Sequence, residues 1–182
     1  MRRLSHEIPW AGGIKLRIIA VTRLRLRSIR FLPRLYWETR KLRRSLERAP
    51  GFLRGKFLAD RNRAFWTMSA WKDIESMRAF RNSKVHAGVV PNLARWCDEA
   101  SVVHWETEAD ELPGWDEAHR RMSEAGKLSA LKFQSPHHKA HRFKTPYVSN
   151  NNWEDVLPRE QSSKSNLFYR VLNHWRLRPS KS

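Results

Sequence analysis

The 182-residue sequence predicts an α+β domain of the ferredoxin-like, βαββαβ class, with a four-stranded antiparallel sheet and an extended C-terminal arm. Three observations carry this expectation. Apolar residues switch between a period of two and a helical period along residues 14–126. The order that results is strand, helix, strand, strand, helix, strand. Finally, 40% of the residues are apolar, with nine Trp and eight Phe in the chain, so a packed core is expected despite a formal charge of +18.

Residues 1–13 read as an N-terminal extension. In 14–26, Ile18, Ala20, Thr22, Leu24 and Leu26 alternate with Ile19, Val21, Arg23 and Arg25, as a strand with one mixed face does. Over 29–49 the period becomes helical. Phe31, Leu32, Leu35, Leu42 and Leu46 form the stripe, Arg34, Lys41, Arg44 and Arg48 lie off it, and Pro50-Gly51 ends it. Phe52–Ala59 and Ala64–Trp71 flank the polar tetrapeptide Asp60-Arg61-Asn62-Arg63, a hairpin signal. Residues 72–82 read as a helix with Ile74, Met77 and Phe80 inward. A second helical piece runs to Cys97, and Pro91 is expected to kink it or start a new segment. Residues 101–107 are the fourth strand, and a short helix over Trp115–Ala125 ends at Gly126.

Two helices cover one face of a four-stranded sheet. The other face, carrying Trp66 or Trp71 and Val102 or Val103, is therefore expected to seek cover from a second copy, giving a homodimeric α/β barrel. Residues 127–182 form a basic arm, poor in apolar residues until Leu167–Leu172, where a short terminal helix is expected.

Charge and composition exclude several classes. No apolar run approaches the roughly 18 residues of a membrane span, and the N-terminus lacks a signal-peptide pattern, so the expectation is a soluble, cytoplasmic protein. The single cysteine, Cys97, excludes a disulfide framework or a Cys-based metal cluster, and it reads as inert packing. His137, His138 and His141 lack a neighbouring carboxylate or thiol, so no metal is expected there. The charge is blocked: residues 1–97 and 127–182 are basic and 98–126 acidic. Part of the +18 is thus available for pairing within the molecule.

The runs Ala20-Val21-Thr22-Arg23-Leu24-Arg25-Leu26-Arg27-Ser28 and Ala49-Pro50-Gly51-Phe52-Leu53 look like the start of a recurrent bacterial domain. Phe65-Trp66-Thr67-Met68-Ser69-Ala70-Trp71, Met77-Arg78-Ala79-Phe80-Arg81-Asn82-Ser83 with His86, and Leu93-Ala94-Arg95-Trp96-Cys97-Asp98-Glu99-Ala100 leading to His104-Trp105 add to the likeness. Together they resemble the antibiotic-biosynthesis-monooxygenase-like, dimeric α/β-barrel superfamily, in its uncharacterised and spheroidene-monooxygenase-like branches, over roughly residues 14–125. The resemblance implies a small monooxygenase-like protein that takes an apolar or aromatic small molecule into a dimeric barrel, either without a cofactor or with haem.

His86 leads the candidate catalytic residues, with Asn82 beside it. Haem-binding relatives ligate iron through a histidine on the second helix, and a neutral imidazole suits that role. The plainer alternative is a half-buried helix histidine bonded to a neighbour. Trp66, Trp71 and Trp96 suit a flat aromatic substrate, with Arg23, Arg81 or Asn82 to stabilise an anion; sheet core and subunit interface is their other reading. A different class remains open: a non-catalytic module that uses its basic surface on nucleic acid or anionic lipid. The Arg23, Arg25 and Arg27 row motivates it, although no recognition helix or zinc finger accompanies that row.

Overall fold

The computed structural model describes residues 16–161. It contains, in order, β1 (Arg17–Leu26), α1 (Leu32–Leu46, entered through a 3₁₀ turn at Ile29–Phe31), β2 (Phe52–Ala59), β3 (Ala64–Trp71), α2 (Ile74–Arg81), α3 (Lys84–Trp96), β4 (Cys97–Thr107), α4 (Trp115–Ala125), β5 (Lys127–Leu128), α5 (Pro136–Lys139) and β6 (Trp153–Val156). The N-terminal extension and the predicted terminal helix lie outside the described residues.

The sheet order is β5-β4-β1-β3-β2-β6, all pairs antiparallel. Its inner four strands have the ferredoxin-like order, but the sheet has six strands rather than four. The two extra strands come from the arm, β5 pairing with β4 and β6 with β2. An edge strand leaves a row of backbone donors and acceptors unpaired, and the arm satisfies part of each edge.

Local chemistry explains most boundaries. Gly51 has φ +76, and a Cβ there would meet the Ser76 side chain, so the turn that ends α1 requires glycine. Asp73 and Ser83 cap α2 and α3 by accepting the Ser76 and His86 backbone N–H groups at 2.7 and 3.3 Å. The helix α3 runs through Pro91 as one element. No new segment starts there, although Pro91 has no N–H to give the Ala87 carbonyl.

The two sheet faces are covered differently from expectation. Register places Ile18, Ala20, Thr22 and Leu24 beside Trp71, Ser69, Thr67 and Phe65 on one face, under α1, α2 and α3. The opposite face carries Ile19, Val21, Trp66, Met68 and Val103. It packs against Leu112 and against Trp115, Ala118 and Met122 of α4, with Phe143 and Trp153 of the arm at its margin. The face expected to need a second copy is thus closed within the chain, which removes the physical reason for expecting the dimer. The helix expected over Trp115–Ala125 was not counted as cover: as α4 it presents Trp115, Ala118 and Met122 at helical spacing and supplies the second layer.

Charge is also used internally. Arg23 is fully buried and donates to Glu99 at 2.6 Å, while Arg25 makes a paired contact with Asp98 at 2.8 and 2.9 Å and reaches Glu99 at 2.8 Å. Arg17 pairs with Asp110. Arg27 donates to the Arg95 carbonyl and lies over the Phe31 and Phe133 rings. The row that motivates a nucleic-acid partner is therefore committed to partners inside the fold.

The arm is stapled at Asn152, whose side-chain amide donates to the Tyr147 and Ala59 carbonyls at 2.7 and 3.2 Å and accepts from the Ser149 N–H at 2.8 Å. Beside it, Asp60 is buried. Burial pushes its carboxyl above the ordinary value of 3.8, more than the backbone N–H groups of Tyr147, Asn62 and Arg61 and the Arg23 charge lower it. A raised folded-state value means that ionisation opposes folding, so this group's contribution falls as pH rises above 3.8. Asp60→Asn is expected to raise the melting temperature at neutral pH, with a gain that vanishes below pH 3.8, where both states hold the proton. A thermal-melt series across pH checks it; a gain independent of pH would contradict the assignment.

Candidate functional site

Between the first sheet face and the helices lies a chamber of about 1050 Å³. Strand alternation sets its floor. Thr22, Thr67 and Ser69 point into it among Phe57, Phe65 and Trp71. Leu35, Thr39 and Leu42 of α1 form one wall, and Phe80 and Arg81 of α2 with His86, Val89 and Leu93 of α3 form the other. At the β4 side, Val102 and His104 are exposed and mark the mouth. A mainly apolar cavity with a few converging polar groups is the usual form of a small-molecule site.

The indole of Trp71 is held in place. Its Nε1–H donates to Ser69 Oγ at 2.9 Å, its ring meets Phe52 edge-on at 5.6 Å, and Phe80 tilts against it at 5.3 Å. Phe80 in turn meets the His86 ring edge-on at 5.6 Å, so Trp71, Phe80 and His86 form a continuous aromatic wall. His86 Nδ1 is buried without a hydrogen-bond partner. Burial pushes its imidazolium below the ordinary 6.5, and the Arg81 charge adds to this against the Arg81 carbonyl, which favours the proton. The balance favours the neutral imidazole at His86.

The predicted residues divide. His86, Trp71 and Arg81 meet in the chamber. Asn82 follows α2, is exposed, and stands 3.4 Å from Arg81 Nε outside the lining. Three candidates are placed elsewhere in whole or in part. Trp66 borders the chamber, but its indole packs on the opposite sheet face, edge-on to His119 of α4 at 6.3 Å and 5.5 Å from the Arg23 guanidinium. Arg23 is spent on Glu99 on that same face and does not line the chamber. Trp96 stacks on Phe31 at 6.3 Å in the core between α3 and the start of α1. Alternation explains the first two, since residues one apart in a strand face opposite ways. Cys97 is buried, and burial, with the Asp98 charge, pushes its thiol up to about 12, which fits inert packing. Sequence reasoning missed Thr22, Thr67, Ser69 and His104. Their signal was present as polar residues on an otherwise apolar strand face.

For haem, the lining supplies two imidazoles that could hold iron, His86 on the wall and His104 at the mouth, with Arg81 as a cation that would face a carboxylate.

No curated protein matches the chain. Among solved structures it is similar to SnoaB, a cofactor-independent oxygenase from Streptomyces nogalater, at 15% identity over 53% of this chain and 95% of that one, with a TM-score of 0.42. It is also similar to a candidate antibiotic biosynthesis monooxygenase from Nitrosomonas europaea (15% identity, 54% and 94% of the two chains, TM-score 0.46). A protein of unknown function from the same organism aligns at 17% identity over 56% and 99%, with a TM-score of 0.47. A family model described as a domain of unknown function, DUF3291, matches residues 38–156, from within α1 to the end of β6, and the chain belongs to that family.

Proposed function

We propose that the chamber binds a flat, largely apolar small molecule carrying one acidic hydroxyl or activated C–H, and that His86 accepts its proton. The observation that carries this reading is a half-buried histidine, its pKa lowered by burial and its Nδ1 inaccessible to solvent, on the wall of a mainly apolar chamber of about 1050 Å³. Trp71, anchored by Ser69, supplies the stacking surface, and the Thr22 and Thr67 hydroxyls hydrogen-bond the polar edge of the ligand. Arg81 stabilises the anion that proton loss creates. The sequence resemblance to antibiotic-biosynthesis monooxygenases supports an oxygenase in which the deprotonated substrate itself reduces dioxygen. If haem is the group bound, His86 holds it and haem supplies the redox chemistry; a Soret band that disappears in His86→Ala marks that case.

Calorimetric titration with 2-naphthol tests the reading. A low folded-state value means that His86 loses its acceptor as pH falls below 6.5 through its own lower value. Affinity is expected to fall by about 2- to 10-fold across that range, the worth of one hydrogen bond, and His86→Phe is expected to bind without pH dependence. Absence of binding to the wild type, or an equal pH profile in both proteins, contradicts it.

A further inference from the structure

Exposed charge is divided between the two sides of the sheet. Arg30, Arg34, Trp37, Lys41, Arg44 and Arg48 recur at alternating spacings of four and three, so they share one face of α1 and its two ends, opposite the buried Leu32, Leu35 and Leu46. All six are exposed, and at the rise of a helix the row is about 27 Å long. Lys41 is shared with Glu38 at 3.3 Å, whereas Arg30, Arg34, Arg44 and Arg48 make no ion pair among the described residues. Lys41, Arg44 and Arg48 also border a groove of about 790 Å³ with Glu75 and Ala79 of α2 and with Val85 of α3, so the three helices present one continuous outer layer. Arg78, Arg81 and Lys84 add exposed cations to it, and Glu75 is the one exposed carboxylate in residues 29–96. Residues 106–124, which lead into and form most of α4 on the other sheet face, have the opposite balance. Glu106, Glu108, Asp110, Glu111, Asp116 and Glu124 are exposed there, while Arg120 and Arg121 are both paired with Glu117.

The apolar members of the cationic layer indicate the kind of anion it meets. Trp37 is 61% exposed in the middle of the row, with Arg40 over its ring at 5.9 Å, and Ile29 beside Arg30 and Val85 at the groove are exposed too. An indole, apolar in body and polar at its N–H, suits the boundary between lipid head groups and acyl chains. Aliphatic side chains gain from that boundary and not from a phosphate backbone. Two neighbouring helices make a face about 20 Å across, wider than the ~12 Å major groove of DNA, which admits one helix. We infer that the outer layer of α1, α2 and α3 is an interaction surface for a membrane rich in anionic phospholipid, with the α1 row against the phosphates and Trp37 at the head-group boundary. Residues 106–124 then face away from the lipid, so the asymmetry of charge sets the orientation.

Sedimentation of the full chain with vesicles at low salt tests this. Binding to equimolar phosphatidylserine and phosphatidylcholine is expected, with little to phosphatidylcholine alone, and it weakens as salt screens the surface. Each cation at an anionic surface is worth about fivefold in affinity, so Arg34→Gln/Arg48→Gln is expected to lose about 10- to 30-fold. Lys139→Gln/Lys144→Gln removes the same charge from exposed positions of the arm and is expected to lose under about threefold. Trp37→Ser is expected to lose about 3- to 10-fold with the salt dependence unchanged. All of these side chains are exposed, so each variant is expected to melt as the wild type does. Absence of binding to the mixed vesicles, equal binding to both vesicle types, or equal losses in the two double variants overturns the assignment. Binding to a DNA duplex that Arg34→Gln/Arg48→Gln abolishes, without vesicle binding, overturns the lipid and gives the row to nucleic acid.

Discussion

Replacing Glu99 with Ala is expected to lower the free energy of unfolding by about 3–5 kcal/mol, the usual effect of removing one partner from a buried ion pair. The pair is formed across the β1–β4 ladder, with Arg23 and Glu99 both almost wholly inaccessible and 2.6 Å apart. Ser135 adds a hydroxyl donor to Glu99 at 3.0 Å, and Arg25 reaches it from the same strand as Arg23. Without Glu99, the Arg23 guanidinium is left charged between Trp66 and Phe143, at 5.5 and 5.7 Å from their rings. The energy lost is mainly the desolvation of a stranded cation, so the double replacement Arg23→Met/Glu99→Leu is expected to recover most of it. The pH dependence has a definite sign. Burial alone would raise the Glu99 carboxyl, but the Arg23 charge and hydrogen bond, with Arg25 and Ser135, hold it below the ordinary 4.5. Its contribution is complete above pH 4.5 and drains away as pH falls through the lower folded value. Urea unfolding of the three proteins at neutral and acid pH checks both statements; a double variant as weak as the single one would show that the pair itself stabilises.

The second large effect concerns the lid on the other sheet face. Met122→Ala is expected to cost about 2–5 kcal/mol, because Met122 is fully buried where α4 packs on the sheet. Since the cover is part of the same chain, the midpoint of unfolding is expected to be independent of protein concentration for both wild type and variant. Cover supplied by a second copy would make the midpoint rise with concentration. A concentration-dependent midpoint, together with a Met122→Ala effect under about 1 kcal/mol, would return this face to a subunit interface.

Much of the fold was legible before any coordinates. The β2–β3 hairpin matches its predicted bounds because two apolar runs flank a polar tetrapeptide, and turn chemistry is local. α4 likewise matches, bounded by Gly114 and Gly126. Of the site, His86, Trp71 and Arg81 were named, since residue type alone marks them as capable of the chemistry. Trp66, Trp96 and Arg23 were named for the same reason and face elsewhere. Composition cannot separate an indole that lines a chamber from one that fills a core. The alternation of β3 puts Trp66 and Trp71, an odd number of positions apart, on opposite faces, but parity alone does not say which layer lies on which side.

Local pattern by itself determined the element order, the hairpin and the helix stripes, because hydrophobic period and turn residues act over a few positions. Only the tertiary structure decided that α4 and the arm close the second sheet face, that Arg23 meets Glu99 across 76 positions of chain, and that Arg44 borders two cavities at once. The reason is that periodicity states that a face is apolar without naming what covers it. Contacts between distant segments are selected by the burial and charge neutralisation of the whole chain.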